Sequence, residues 1–188
     1  MKKTIFALML LSAMVGCKKE QSEQTEIASE PEITKSTVPE MTSETEFGRD
    51  VLQQELRTIE GNTTTFEEVL NTHKGKPILI DFWGSWCPDC IKGMPKVHKL
   101  QEEFDLVYIF LSFDRTEKDW KEGIKKHKTI GKNFLVITES EKEKLRHSLR
   151  IDWIPRYILV SPDGRIAHFR AIEADDPKLI EKIKELTK

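Results

Sequence analysis

The sequence predicts an α/β domain, a central mixed β-sheet flanked by helices with a β-hairpin extension on its N-terminal side. Two almost continuously apolar runs, residues 77–83 and 106–113, suit strands buried on both faces. Helical spacings fall between and after these runs, and strands alternating with helices give a layered sandwich. A Pro162-Asp163-Gly164 turn joins two later strand patterns into an antiparallel hairpin at one edge. With 188 residues, 38% hydrophobic and 33% charged, the chain has the size of one ordinary domain and a globular composition.

The first segment is an address rather than part of that domain. Lys2 and Lys3, an apolar stretch over 5–11 and small residues leading to Cys17 make residues 1–16 a secretory signal, too short to span a bilayer. Met14-Val15-Gly16-Cys17 resembles the bacterial lipobox, with Met14 in the place of the usual Leu. That resemblance implies a Cys17 joined by a thioether to diacylglycerol, and it accounts for the odd one of three cysteines, 17, 87 and 90. The plainer alternative is an ordinary secretory signal with a free Cys17. Residues 17–46 are rich in Glu, Ser, Thr and Gln, carry Pro31 and Pro39, and have few large apolar side chains. Such a segment cannot repay the entropy of ordering, and it reads as a tether before a domain over 47–188.

Within the domain, Leu56-Arg57-Thr58-Ile59, Glu60-Gly61-Asn62 and Thr63-Thr64-Thr65 read as strand, turn and strand. Phe66, Val69 and Leu70 follow at helical spacing up to Gly75. After the buried strand at 77–83 a helix is expected from Cys87 to about Phe104. The second buried strand at 106–113 leads to a charged surface helix over 117–126, whose Trp120 packs on the sheet. A short strand at 134–137, a helix at 141–149 and the strand pair 157–160 and 166–169 come next. Pro177 opens the last helix, which sets Leu179, Ile180, Ile183 and Leu186 on one face. Phe82, Trp83 and Trp153 are assigned to the core, and His73, His98, His127 and His147, all in charged surroundings, to solvent.

The chemistry is concentrated in Cys87-Pro88-Asp89-Cys90. A C-x-x-C that follows a buried strand and opens a helix places its first cysteine where free N–H groups and the helix dipole favour an anion. The helix effect, about 0.3–2 kcal/mol, moves a thiol from about 8.5 toward neutrality. Cys87 is therefore the expected nucleophile. Cys90, one turn further in, suits the resolving role, and the spacing lets the two sulfurs meet in a disulfide. Asp89 sets negative charge beside the thiolate, which disfavours the dithiolate form and makes the couple more reducing. A C-x-x-C is also half of a zinc site, but no second pair and no H-x-x-x-H spacing accompanies it, so no metal is expected. The net charge of −2, with lysines interspersed among glutamates, argues against nucleic acid as a partner.

The segment Asp81-Phe82-Trp83-Gly84-Ser85-Trp86-Cys87-Pro88-Asp89-Cys90 resembles the active site of thioredoxin-fold oxidoreductases, most of all the membrane-tethered reductases of the TlpA/ResA type. The resemblance covers roughly residues 55–187. It implies that Asp81 is the buried acid that shuttles a proton for Cys90, that Trp86 flanks the nucleophile, and that Pro95 kinks the active-site helix. Trp153-Ile154-Pro155-Arg156-Tyr157 matches the family's cis-proline loop, in which the backbone at Ile154 pairs with the bound substrate. Trp86, Pro88, Asp89, Ile154 and Pro155 are thus the implied substrate-binding residues. Arg156 departs from the family's frequent Thr, either reading an acidic substrate or pointing to solvent.

The function so implied is disulfide reduction in the bacterial cell envelope, on its periplasm-facing side, with no cofactor beyond the redox-active Cys87–Cys90 disulfide. Its implied partners are protein disulfides, apocytochrome c among them, and an upstream membrane thiol donor. An oxidant or isomerase on the same fold, a peroxidase, and a non-enzymatic binding module are the alternatives. The Trp-Cys-x-x-Cys arrangement speaks against a peroxidase, which needs a Pro/Thr-rich loop before its cysteine.

Overall fold

The structure, a computed structural model, describes residues 42–188. The signal segment, Cys17 and most of the expected tether lie outside the described residues. Residues 42–46, counted with the tether on composition, are held against the domain. Thr42 and Phe47 are buried, the Thr42 hydroxyl accepts the Gly48 N–H at 2.9 Å, and the Thr45 carbonyl accepts the Ile166 N–H at 2.9 Å.

In chain order the elements are α1 (Arg49–Leu52), β1 (Glu55–Arg57), β2 (Thr63–Thr65), α2 (Phe66–Thr72), β3 (Ile78–Trp83) and α3 (Pro88–Glu103). They continue with β4 (Val107–Ser112), α4 (Glu117–His127), β5 (Lys132–Val136), α5 (Glu139–Ser148), β6 (Arg156–Val160), β7 (Ile166–Ala171) and α6 (Pro177–Leu186). One seven-stranded sheet runs β2-β1-β5-β4-β3-β6-β7. Strands β3, β4 and β5 are parallel, and β1 with β5, β3 with β6 and β6 with β7 are antiparallel. The sheet is mixed, as the alternation of patterns predicts. The N-terminal hairpin is no appendage, because β1 pairs with β5 and sets Leu56, fully buried, opposite Val136.

Local chemistry starts the helices. Thr65 and Glu68 close a capping box on α2, and Thr138 and Glu141 close another on α5. Asp176 caps α6, with Pro177 in the first turn where its missing N–H does no harm. Every residue of β3 is buried, and all of β4 except Val107, as strands covered on both faces require. Trp120 is fully buried from α4. Trp153 is not a core residue; it stands 61% exposed. His147 is exposed, but His73, His98 and His127 are only half so, and the His127 ring stands edge-on to Trp83 with centroids 6.4 Å apart.

Candidate active site

The carboxyl end of β3 delivers the chain into a loop over residues 84–86 that is fastened from below. Asp114, buried just past β4, accepts the Ser85 N–H at 3.2 Å, the Ser85 hydroxyl at 2.6 Å and the Ser112 hydroxyl at 2.6 Å. The Trp86 indole N–H points at the Phe113 carbonyl, 3.4 Å away. Two glycines make this packing possible. A Cβ on Gly84 would lie 2.8 Å from the Trp86 indole nitrogen, and one on Gly123 of α4 would lie 2.4 Å from the Ser85 Cβ. Asp114 and Gly123 were not among the residues singled out from the sequence. The serines that recognise Asp114 lie on two different segments, so no local motif marks it.

Cys87 is the N-cap of α3 rather than its first residue, and Pro88 takes the first helical position. The Cys87 Sγ accepts the Cys90 N–H at 3.2 Å, so a helix N-terminus is turned toward the sulfur as its spacing predicts. Cys87 and Cys90 form a disulfide with Cα atoms 5.3 Å apart, inside the ordinary range. Both are buried, Cys87 4% and Cys90 1% exposed, so Cys87 meets solvent only at its edge. Ile154 and Pro155 are joined by a cis peptide bond, and the Ile154 carbonyl oxygen lies 3.5 Å from the Cys87 Sγ. Trp86 and Trp153, 52% and 61% exposed, stand on the rim. A groove of about 280 Å³ runs between Trp86, Cys87, Pro88, Asp89, Trp153 and Ile154.

Asp81 lies beneath this surface. It is 3% exposed, and its Oδ1 has no hydrogen-bond partner among the described residues. Burial alone pushes its carboxyl up to about 8. Asp81 is directly opposite Tyr157 in the antiparallel β3–β6 pair, so both side chains leave the same face of the sheet. A Cβ on Gly93 of α3 would meet the Tyr157 hydroxyl at 3.3 Å, which identifies that face as the one α3 covers. Asp81 therefore faces the helix whose first turn holds Cys90. Burial, together with the negative charges of Asp81, Glu173 and Asp175, drives the Tyr157 phenol far above its ordinary range, keeping it a neutral wall of this compartment.

Arg156 neither reaches a substrate nor points to solvent. It is 1% exposed, and its guanidinium donates to Asp152 Oδ1 at 2.5 Å and to the Arg150 carbonyl at 3.3 Å. Asp152 also accepts from Arg170 at 2.8 Å, and the two arginines hold its carboxyl below the usual range. Arg156 thus ties β6 to the start of the cis-proline loop. The structure brings Trp86, Cys87, Pro88, Asp89, Cys90, Ile154 and Pro155 to one end of the sheet, with Asp81 behind them; Cys17 lies outside the described residues.

A thioredoxin-like family profile matches residues 75–166, from before β3 to the start of β7. A solution structure from Bacteroides vulgatus, assigned provisionally as a thiol-disulfide oxidoreductase, is 31% identical. Its superposition covers 70% of this chain and 84% of that one, with a TM-score of 0.58. The chain belongs to the thioredoxin-like thiol-disulfide oxidoreductases. Among curated members of this family, the thiol-disulfide oxidoreductase ResA of Bacillus thuringiensis subsp. konkukian is 26% identical over 121 residues, 63% of this chain and 68% of that protein. The thioredoxin-like protein YneN of Bacillus subtilis is 33% identical over 69 residues, 36% of this chain and 38% of its own length. The chain spans less than two thirds of the length of YneN and of a Haemophilus influenzae relative, of which it covers 63%. The stretch matched by the family profile contains Cys87, Cys90 and the cis-proline Pro155.

Proposed function

We propose that this chain is a disulfide reductase of the bacterial cell envelope that uses Cys87 and Cys90 through a mixed disulfide. The observation that carries the reading is the Cys87–Cys90 pair at the head of α3, faced by the Ile154 carbonyl and backed by a buried Asp81 whose Oδ1 has no partner among the described residues. In the reduced protein the Cys87 thiolate attacks a substrate sulfur, forming a new S–S bond and expelling the other substrate sulfur as a thiolate. The ionised fraction of Asp81, which grows as the pH approaches about 8, takes the Cys90 proton, and the Cys90 thiolate attacks Cys87. The Cys87–Cys90 disulfide forms, the second substrate thiolate leaves, and the substrate has gained the two electrons the dithiol has lost. No group beyond this dithiol is required. An upstream membrane thiol donor returns the electrons.

The direction of transfer rests on Asp89, which is exposed in the first turn of α3. Its carboxylate opposes build-up of thiolate on Cys87, so the couple holds its electrons weakly. The equilibrium reduction potential of the full chain in glutathione and dithiothreitol buffers decides the matter. A value near that of thioredoxin, about −270 mV, is expected, whereas one near −120 mV would make the protein an oxidant. Asp89→Asn is expected to raise the potential by about 10–20 mV, the scale of one exposed charge. Cys90→Ser is expected to accumulate a mixed disulfide with its substrate, and Cys87→Ser to form none.

Cys17 is proposed as a diacylglyceryl anchor that keeps the domain at the membrane, since two acyl chains hold stably where one does not. Cys17→Ser should move the protein from the membrane to the soluble fraction, and the wild-type N-terminal peptide should carry the added lipid mass. Apocytochrome c, whose haem-attachment cysteines must be reduced, is the proposed substrate among envelope disulfides; its recovery in the Cys90→Ser trap is the test.

A further inference from the structure

The loop between α5 and β6 forms one side of the groove at Cys87. Asp152, Trp153 and Ile154 line it, and the Ile154 carbonyl oxygen stands 3.5 Å from the Cys87 Sγ. Among the described residues none of these three makes a backbone-to-backbone hydrogen bond. A segment that is to pair with an incoming extended chain needs its main-chain groups free in this way. The same freedom means that neither a ladder nor a turn fixes it, so its position has to be set by side chains.

Arg156 supplies the hold. It opens β6, stands opposite Phe82 of β3 in the sheet, and is 1% exposed, so its base is rigid. From there the guanidinium reaches back across the loop to the Asp152 carboxylate at 2.5 Å and the Arg150 carbonyl at 3.3 Å. Every hydrogen bond it makes among the described residues goes to this loop, and its Nε has none. Arg170 of β7 donates to the other Asp152 oxygen at 2.8 Å, so Asp152 is gripped from two strands. As a source of stability this is a poor arrangement, because desolvation of a buried guanidinium offsets most of its attraction to a carboxylate that is itself 66% exposed. What a planar fork does well is to fix two acceptors relative to one another. Here they belong to the start of the loop and to the residue beside Trp153.

We propose that Arg156 is a positioning residue for the substrate chain: acting through Asp152, it holds Trp153 and the Ile154 backbone where a polypeptide lies when its disulfide meets Cys87. This role rests on the reading of Cys87 as the attacking sulfur, and it separates two classes of disulfide. A polypeptide disulfide brings a main chain that lies along the loop. It gains from a loop that is already ordered, because less freedom is lost on binding. A small disulfide without peptide groups needs only the Cys87 sulfur and is indifferent to the loop.

The test gives the reduced full chain two substrates, a disulfide-bonded peptide of uncharged residues and bis(hydroxyethyl) disulfide, which has no peptide groups. Arg156→Met keeps the apolar stem and removes both bonds to the loop. Asp152→Ala removes the bonds to both arginines from an exposed position, and it carries the test if Arg156→Met does not fold. The second-order rate constants are compared as a ratio of peptide to small disulfide, which does not depend on how much of a preparation is active. Each variant is expected to lower that ratio by about three- to tenfold, through the peptide rate alone. A merely structural role would lower the unfolding midpoint and leave the ratio where it was. An unchanged ratio in Asp152→Ala or in a folded Arg156→Met, or an equal loss toward both substrates, would overturn the proposal. If the wild type reduces neither substrate, the reductase reading fails by itself. Amide spin relaxation at Trp153 and Ile154 in the oxidised chain then decides the positioning. Order parameters are expected to fall from about 0.85 toward about 0.6 in the variants, and retained order would remove Arg156 from the role.

Discussion

Asp81 is a carboxyl whose Oδ1 receives no hydrogen bond from any of the described residues, and that has a consequence for stability as well as for proton transfer. Its carboxyl is raised from an ordinary 3.8 to about 8. Below about pH 4 the group is protonated whether the chain is folded or not, and burial carries no ionic penalty. Between about pH 4 and 8 the unfolded chain has lost the proton that the folded chain keeps, so stability declines by about 1.4 kcal/mol per pH unit. Above about pH 8 the penalty is complete, on the order of 5 kcal/mol. Asp81→Asn removes the titration. Urea unfolding of the oxidised protein at pH 4, 7 and 9 should show the variant gaining on the wild type as pH rises, with most of the gain in place by pH 9. Parallel curves would show that the carboxyl is not buried as an acid. In the reduced protein the same variant should slow resolution of the mixed disulfide, and it should lose the rise in that rate through about pH 8.

Elements that make their own signal were legible in the sequence. Strands β3 and β4 announce themselves because a strand covered on both faces must be apolar throughout, and α6 because Pro177 precedes a clean helical spacing. Helix α1 was missed, since a single turn over Arg49–Leu52 has no periodicity to read. Strand β5 begins two residues earlier than its apolar run, because Lys132 and Asn133 pair with Ile109 and Phe110 through backbone ladders that ignore side-chain polarity. What the hairpin β1–β2 joins was invisible for a related reason, as the choice of β5 for partner is made by the assembled sheet. The cysteines and Pro155 are local motifs and were found. The bonds of Asp114 to two serines, the burial of Arg156 and the exposure of Trp153 depend on how distant segments meet. Helix α5 matters most here, because its first turn carries the buried Lys142 and its last carries Arg146, which lines the groove at Cys87. Its start is fixed by the Thr138 hydroxyl accepting the Glu141 N–H at 3.2 Å and by the Glu141 carboxylate accepting the Thr138 N–H at 2.8 Å. Thr138→Ala should destabilise the protein by about 1 kcal/mol, read as a lowered urea midpoint with an unchanged slope. A loss within error would mean that tertiary packing alone sets the end of α5.

At the scale of the whole molecule, the redox couple and the fold are linked by one thermodynamic cycle. The potential of the folded dithiol differs from that of the unfolded chain by the amount by which folding favours one redox form. Each 30 mV corresponds to about 1.4 kcal/mol for a two-electron couple. A reductant is a protein whose fold favours its own disulfide, so its oxidised form must be the more stable; an oxidant has the opposite order. The architecture supports the first order. The disulfide closes at the head of α3 with both sulfurs buried, whereas the dithiol must accommodate a Cys87 thiolate near the exposed Asp89 carboxylate. Unfolding of the full chain, oxidised and fully reduced, at pH 7 in the same buffer should place the oxidised form at the higher midpoint. The gap should match the difference between the folded potential and that of the same chain in denaturant. A reduced form that unfolds later than the oxidised one would reverse the assigned direction of electron flow while leaving the disulfide-exchange chemistry of Cys87 and Cys90 intact.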